Sequence, residues 1–149
     1  MTLSRIAFSA ILIIVGAVSA FYATNVAFGG LHTLGLQGST DYFAVTDEAT
    51  YALRDNHARF YGGIFLALGL FLILAATNVQ RFRGGLYLAF VLVFAGGLAR
   101  LTQLQPEVTF GPSNLLSAIV ELALMPVLFI WLWRSSTISV AKVSPAADR

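Results

Sequence analysis

Cysteine is absent from this 149-residue chain. Its absence excludes disulfides, thiolate metal sites and thiol nucleophiles together, and leaves the compartment open. Charge is scarce as well. Only 11% of residues are charged, against about 25% in a soluble domain, too few to cover a water-facing surface. Nine Lys and Arg against seven Asp and Glu give a net charge of +2. They are spread without a basic patch, which argues against nucleic acid as a partner. The two histidines, His32 and His57, are too far apart to form a metal motif, so no metal and no cofactor are expected.

Apolar side chains are abundant instead, at 58% of the chain. A helix needs about 20 mostly apolar residues to cross a hydrocarbon core of about 30 Å. Four stretches qualify, 6–28, 60–79, 84–104 and 115–133. Each is apolar around its whole circumference, as a lipid-embedded helix must be. The expected fold is an all-α membrane protein: a four-helix transmembrane bundle with short connections and one longer outer loop. Residues 1–134 form the membrane domain, and 135–149, polar and rich in small residues, a disordered cytoplasmic tail. Arg5, an apolar run and Val18-Ser19-Ala20 also fit a signal peptide. The run continues past that cut through Phe21, Tyr22, Ala23 and Val26, so the stretch is read as a helix.

Lys and Arg set the orientation. With both termini in the cytoplasm, Arg5, Arg81, Arg83, Arg134, Lys142 and Arg149 lie inside, and Arg54, Arg59 and Arg100 outside. Trp131 and Trp133 then fall at the inner end of the fourth helix, where indole favours the interface. The first connection, 29–58, is the long one and opens with Gly29, Gly30, Gly35 and Gly38. Thr46 followed by Asp47 and Glu48 is a helix-start pattern, so the second helix is expected to begin near Asp47 and run unbroken into the membrane. About four residues around 80–83 force an antiparallel hairpin. Pro106, Gly111, Pro112 and Ser113 mark a turn-rich third connection, with Ser113 or Asn114 as the cap of the fourth helix. A likeness between 62–67 and 84–89 suggests an inverted repeat, but glycine and leucine are so common in membrane helices that chance explains it better.

Helices in lipid approach through small residues. Gly16 and Ala20, Gly63 and Ala67, and Gly85 and Ala89 have small-xxx-small spacing, and Gly62, Gly63, Gly96 and Gly97 are assigned to helix packing. Homodimerisation through such a face is the alternative use.

Ionisable groups within a bilayer are costly, so each needs a partner or a task. Glu121 stands about 9 Å below the outer end of the fourth helix and Arg100 about 6 Å below that of the third. Opposite charges at similar depth on adjacent helices should pair. Asp55 precedes Arg59 by one turn on the second helix, and Asn56, Arg59 and Gly63 form a stripe. Asn114, Ser117 and Glu121 line up on the fourth. Pro126 has no N–H for the carbonyl of Leu122, so a kink or a freed acceptor is expected just below Glu121. His57, at the interface on another face from Arg59, reads as a solvated helix residue. Asp55, Asn56, Arg59, Arg100 and Glu121 thus make one polar cluster with two uses. Either the charges neutralise one another and fix helix register, or the arginines hold an anionic headgroup or carboxylate ligand while Glu121 relays protons or anchors a cation.

The segments 55–63 (Asp-Asn-His-Ala-Arg-Phe-Tyr-Gly-Gly) and 96–101 (Gly-Gly-Leu-Ala-Arg-Leu), then Glu121 followed by Pro126, resemble the bacterial domain-of-unknown-function family 4345 over about Ile6 to Trp133. The resemblance implies a small four-helix integral membrane protein, singles out Asn56, Arg59, Gly63, Arg100 and Glu121, and supplies no reaction. A looser similarity links the chain to other small four-helix membrane families, including DoxX-like proteins, some tied to quinone or thiol oxidation. The missing cysteine removes any thiol chemistry from that comparison. No catalytic residue is assigned. The expected function is a non-catalytic accessory, scaffold or lipid-binding bundle of the inner membrane, with membrane lipid and a homo-oligomer or membrane-protein partner. The alternatives are a small oligomeric transporter or proton-coupled carrier, and a membrane enzyme acting on a lipid-soluble substrate.

Overall fold

The computed structural model describes residues 3–33 and 47–141, with side chains for 3–31 and 47–135. It is 87% helix, with no strand among the described residues. The chain divides into two compact units, Met1–Val79 and Gln80–Arg149.

The first unit pairs α1 (Leu3–Gly29) with α2 (Glu48–Thr77). A single 3₁₀ turn, Gly30–Thr33, follows α1. The helices run antiparallel, as the Ser9 hydroxyl donating to the Ala76 carbonyl at 3.1 Å shows. Their seam is made of glycine and alanine. A Cβ built on Gly16 would meet the Gly69 carbonyl oxygen at 2.7 Å, and one on Gly62 would meet the Ala27 nitrogen at 2.5 Å. Only hydrogen fits there, so the two backbones lie in near contact. The packing glycines of α2 are therefore Gly62 and Gly69. Gly63, assigned to packing from the sequence, faces open space.

At 30 residues, α2 is about 45 Å long, well beyond a hydrocarbon core of about 30 Å. It starts where the sequence places it, but the cap is Asp47 rather than Thr46, which lies outside the described residues. Asp47 accepts from the amides of Ala49 at 3.0 Å and Thr50 at 3.3 Å, and from the Thr50 hydroxyl. The Thr50 hydroxyl, then its amide, holds this carboxyl below its ordinary value. A depressed pKa stabilises the helix start above the unfolded-state value, and this contribution is lost as pH falls through the folded value. Amide protection at 49–52 should therefore drop as pH falls below about 4. Asp47→Ala should show the low protection at every pH. Unchanged protection in that variant would mean the cap is not holding this turn.

The second unit contains α3 (Arg83–Leu101), the short α4 (Pro106–Thr109), α5 (Leu115–Ile119) and α6 (Met125–Ala141). One wide π turn, Val120–Leu124, joins α5 to α6. The helix α3 ends three residues before the sequence-based boundary. Gln103 and Leu104 bond back to Arg100 and Leu101 in a tightened turn. Leu104 takes a left-handed φ of 55°, and Gln105 is held extended by the proline after it. Asn114 sits at the cap position of α5, yet its side chain donates to the Val108 carbonyl at 2.9 Å and makes no cap bond. The loop 102–114 is tied to itself instead. The helical backbone of α6 continues to Ala141, and the rest of the tail lies outside the described residues.

Four helical segments are long and apolar enough to cross a membrane: Leu3–Gly29, Glu48–Thr77, Arg83–Leu101 and Leu115–Ser135. Within the most apolar stretch of each, only 22–28% of residues are buried. Ile14, Phe21, Phe65, Leu74, Leu92 and Val127 are among the large side chains left exposed, which calls for lipid or another apolar surface.

Candidate functional site

Four charged residues of the spans form two ion pairs, one in each unit. In the first unit, Asp55 and Arg59 are one turn apart on α2 and joined at 2.7 Å between Oδ2 and Nε. This pair closes the end of α1. A helix leaves its last carbonyls without intrahelical donors, and Arg59 supplies them: Nη1 donates to the Phe28 carbonyl at 2.7 Å and Nη2 to that of Gly29 at 3.3 Å. The other oxygen of Asp55 accepts the Leu31 amide at 2.7 Å. Between them Gly30 turns the chain at a φ of 68°, and a Cβ there would collide with the Asp55 carboxylate. Glycine alone meets both demands. All three guanidinium nitrogens of Arg59 are engaged. Asn56, one residue along, is exposed and takes no part in these bonds.

In the second unit Arg100 and Glu121 form a two-point pair. Nε donates to Oε2 at 2.8 Å and Nη2 to Oε1 at 3.0 Å. This fork geometry is the stronger kind of ion pair. Its two ends differ: the Glu121 side chain is 13% exposed and that of Arg100 44%. Arg100 lies in the last turn of α3, where a cation complements the helix dipole. Gly97, one turn before it, lets the helices close. A Cβ there would meet that of Glu121 at 2.8 Å. Gly96, also assigned to packing, faces open space.

Glu121 stands within the π turn. The Met125 amide reaches back five residues to the Val120 carbonyl. Pro126 has no N–H to continue the ladder, and its ring would crowd the Leu122 carbonyl. The chain widens by one residue, the form taken by the disturbance expected below Glu121. Such turns recur at functional sites. Ser117 donates to the Asn114 carbonyl at 2.8 Å, one turn above Glu121.

Among the described residues no buried side-chain nitrogen or oxygen lacks a partner. No group of three His, Cys, Asp or Glu comes together to hold a metal there. His57 is exposed on α2, and the His32 side chain lies outside the described ones. The sequence reading missed the carbonyl clamp of Arg59, the role of Gly30 and a contact between Arg83 and Tyr87. The last was available as a cation–tyrosine pair at i, i+4. The clamp was not, because backbone acceptors leave no residue signature.

The sequence model of the family described as "Domain of unknown function (DUF4345)" matches residues 7–132. No curated protein and no solved structure matches the chain.

Proposed function

The chain belongs to the DUF4345 family, and from that premise we propose a small, non-catalytic multi-pass protein of the bacterial inner membrane, an accessory or scaffold subunit with both termini in the cytoplasm. One observation carries the reading: both ion pairs of the spans are engaged in joining helix to helix. Arg59 spends its three nitrogens on Asp55 and two carbonyls, and both oxygens of Glu121 are held by Arg100. Neither pair leaves a carboxylate or nucleophile poised for a substrate. The wide exposed apolar surface favours function through contact, with lipid, a second copy or another membrane protein. Extraction in lipid nanodiscs followed by native mass spectrometry is the test. The expected particle holds more than one chain, a partner subunit or retained lipid. A bare monomer overturns the reading.

The π turn at Glu121 favours a second reading, a small proton-coupled carrier. Proteoliposomes loaded with a pH-sensitive dye discriminate. The scaffold reading expects proton leakage equal to that of protein-free vesicles, and the carrier reading expects a flux that Glu121→Gln abolishes.

A further inference from the structure

The second unit carries its charge unevenly. Tyr87 of α3 and Phe129 of α6 have ring centroids 4.8 Å apart, while Gly97 and Arg100 meet Glu121 at the other end. The helices therefore run antiparallel, and this register brings the start of α3, with Arg83, level with Trp133 and Arg134 of α6. Arg81 lies two residues before Arg83. No aspartate or glutamate occurs within residues 80–106 or 122–141. One end of the unit thus gathers three guanidinium groups, while its carboxylates among the described residues, Glu107 and Glu121, belong to the other.

The arginine at the helix start is also preset. Nε and Nη2 of Arg83 donate to the Tyr87 hydroxyl at 3.2 and 3.1 Å, and the guanidinium carbon lies 5.3 Å from the Tyr87 ring centre. Phe129 backs the tyrosine. Nη1 takes no part in that contact. A planar donor fixed along one edge offers the other to a phosphate at little further entropic cost. Arg134 is exposed, and Trp133 beside it is 59% exposed, a pairing suited to the headgroup layer.

We propose that Arg83 and Arg134, reinforced by Arg81, form a binding site for the phosphate of an anionic phospholipid at the end of the α3–α6 pair. Position selects a lipid over an acidic protein segment. The arginines stand at the edge of the apolar spans, where headgroup phosphates already lie. The site rests on the membrane-embedded reading above and adds to it the class of lipid and its location.

The chain's only two tryptophans, Trp131 and Trp133, sit at this end. Their fluorescence in vesicles of phosphatidylcholine and phosphatidylglycerol, with one lipid brominated at a time, therefore reports occupancy. Brominated phosphatidylglycerol should quench beyond its bulk share. Arg83→Gln and Arg134→Gln should each lower the selectivity about fivefold, whereas Arg54→Gln, on α2, leaves it unchanged. Arg134→Lys keeps the charge and should retain most of the selectivity, and Arg83→Lys, which keeps the charge but loses the fork fixed on Tyr87, should retain only part of it; graded retention separates headgroup binding from loss of fold. Equal quenching by both lipids, or selectivity that survives the double Gln variant, overturns the site and leaves the membrane reading standing. Quenching by neither lipid overturns both. Relief of the excess quenching by millimolar inorganic phosphate would assign the site to the free anion and overturn the lipid proposal.

Discussion

Gly69→Val should strongly destabilise the first unit. A Cβ at Gly69 would lie 2.7 Å from both the Ala20 nitrogen and the Gly16 carbonyl oxygen. These are backbone atoms of α1, unable to swing aside as a side-chain tip would. Alanine already forces the helices apart, and valine adds two methyl groups at a branched carbon. The separation would spread along the whole seam, because Gly62 meets the backbone at Ala27 and Gly16 meets Ile73 in the same register. The Ser9 bond to the Ala76 carbonyl and the Arg59 bonds to the Phe28 and Gly29 carbonyls lie near the two ends of the seam, away from Gly69. Overpacking commonly costs about 1–3 kcal/mol, and a backbone-to-backbone clash belongs at the upper end, about 3 kcal/mol. Gly63→Val places the same side chain on the open face of the same helix and should stay within about 0.5 kcal/mol of the parent. Equilibrium unfolding of both variants in bicelles decides the matter. Equal stability of the two would mean that α1 and α2 do not meet through this seam.

That contrast marks how far the sequence could be read. The four spans were legible because length and apolarity are properties of a whole stretch, and the start of α2 was legible because Asp47 and Glu48 are residues a helix start selects. The Arg100–Glu121 contact could be anticipated from depth alone. Which glycine of each pair turns toward the neighbouring helix could not. A helix apolar on all sides has no polar face to orient it, so Gly62 and Gly63, or Gly96 and Gly97, are equivalent until the partner backbone is known. Arg59 was legible as the partner of Asp55, yet its bonds to Phe28 and Gly29 depend on how α1 ends, and carbonyl groups are the same in every residue. Pro126 announced a lost hydrogen bond. Whether the helix kinks, frees a carbonyl or widens depends on packing around Glu121, which only the fold supplies. Of the cluster inferred from shared depth, each unit holds one ion pair, Asp55–Arg59 in the first and Arg100–Glu121 in the second.

The Arg100–Glu121 pair should respond asymmetrically to loss of either partner. Removing one member of a buried ion pair costs about 3–5 kcal/mol, because the survivor stays desolvated and unpaired. Here the two survivors differ. After Arg100→Gln the remaining carboxylate is 13% exposed and anchored in the π turn with its Cβ against Gly97, so it stays largely desolvated. That variant should lose about 3 kcal/mol. After Glu121→Gln the remaining guanidinium is 44% exposed and stands on a long stem in the last turn of α3, from which it can extend to the interface. That loss should be about 1 kcal/mol. The double variant removes both charges and should recover most of the larger loss, leaving it within about 1 kcal/mol of the parent. A double-mutant cycle by equilibrium unfolding in bicelles gives all three values with their coupling. If the order holds, the pair exists to fix α3 against the π turn, and the scaffold reading gains. If all three variants match the parent in stability, folding does not require these charges. The proton-flux measurement on Glu121→Gln then becomes decisive, since intramembrane charge that does not serve stability has to serve transport or binding.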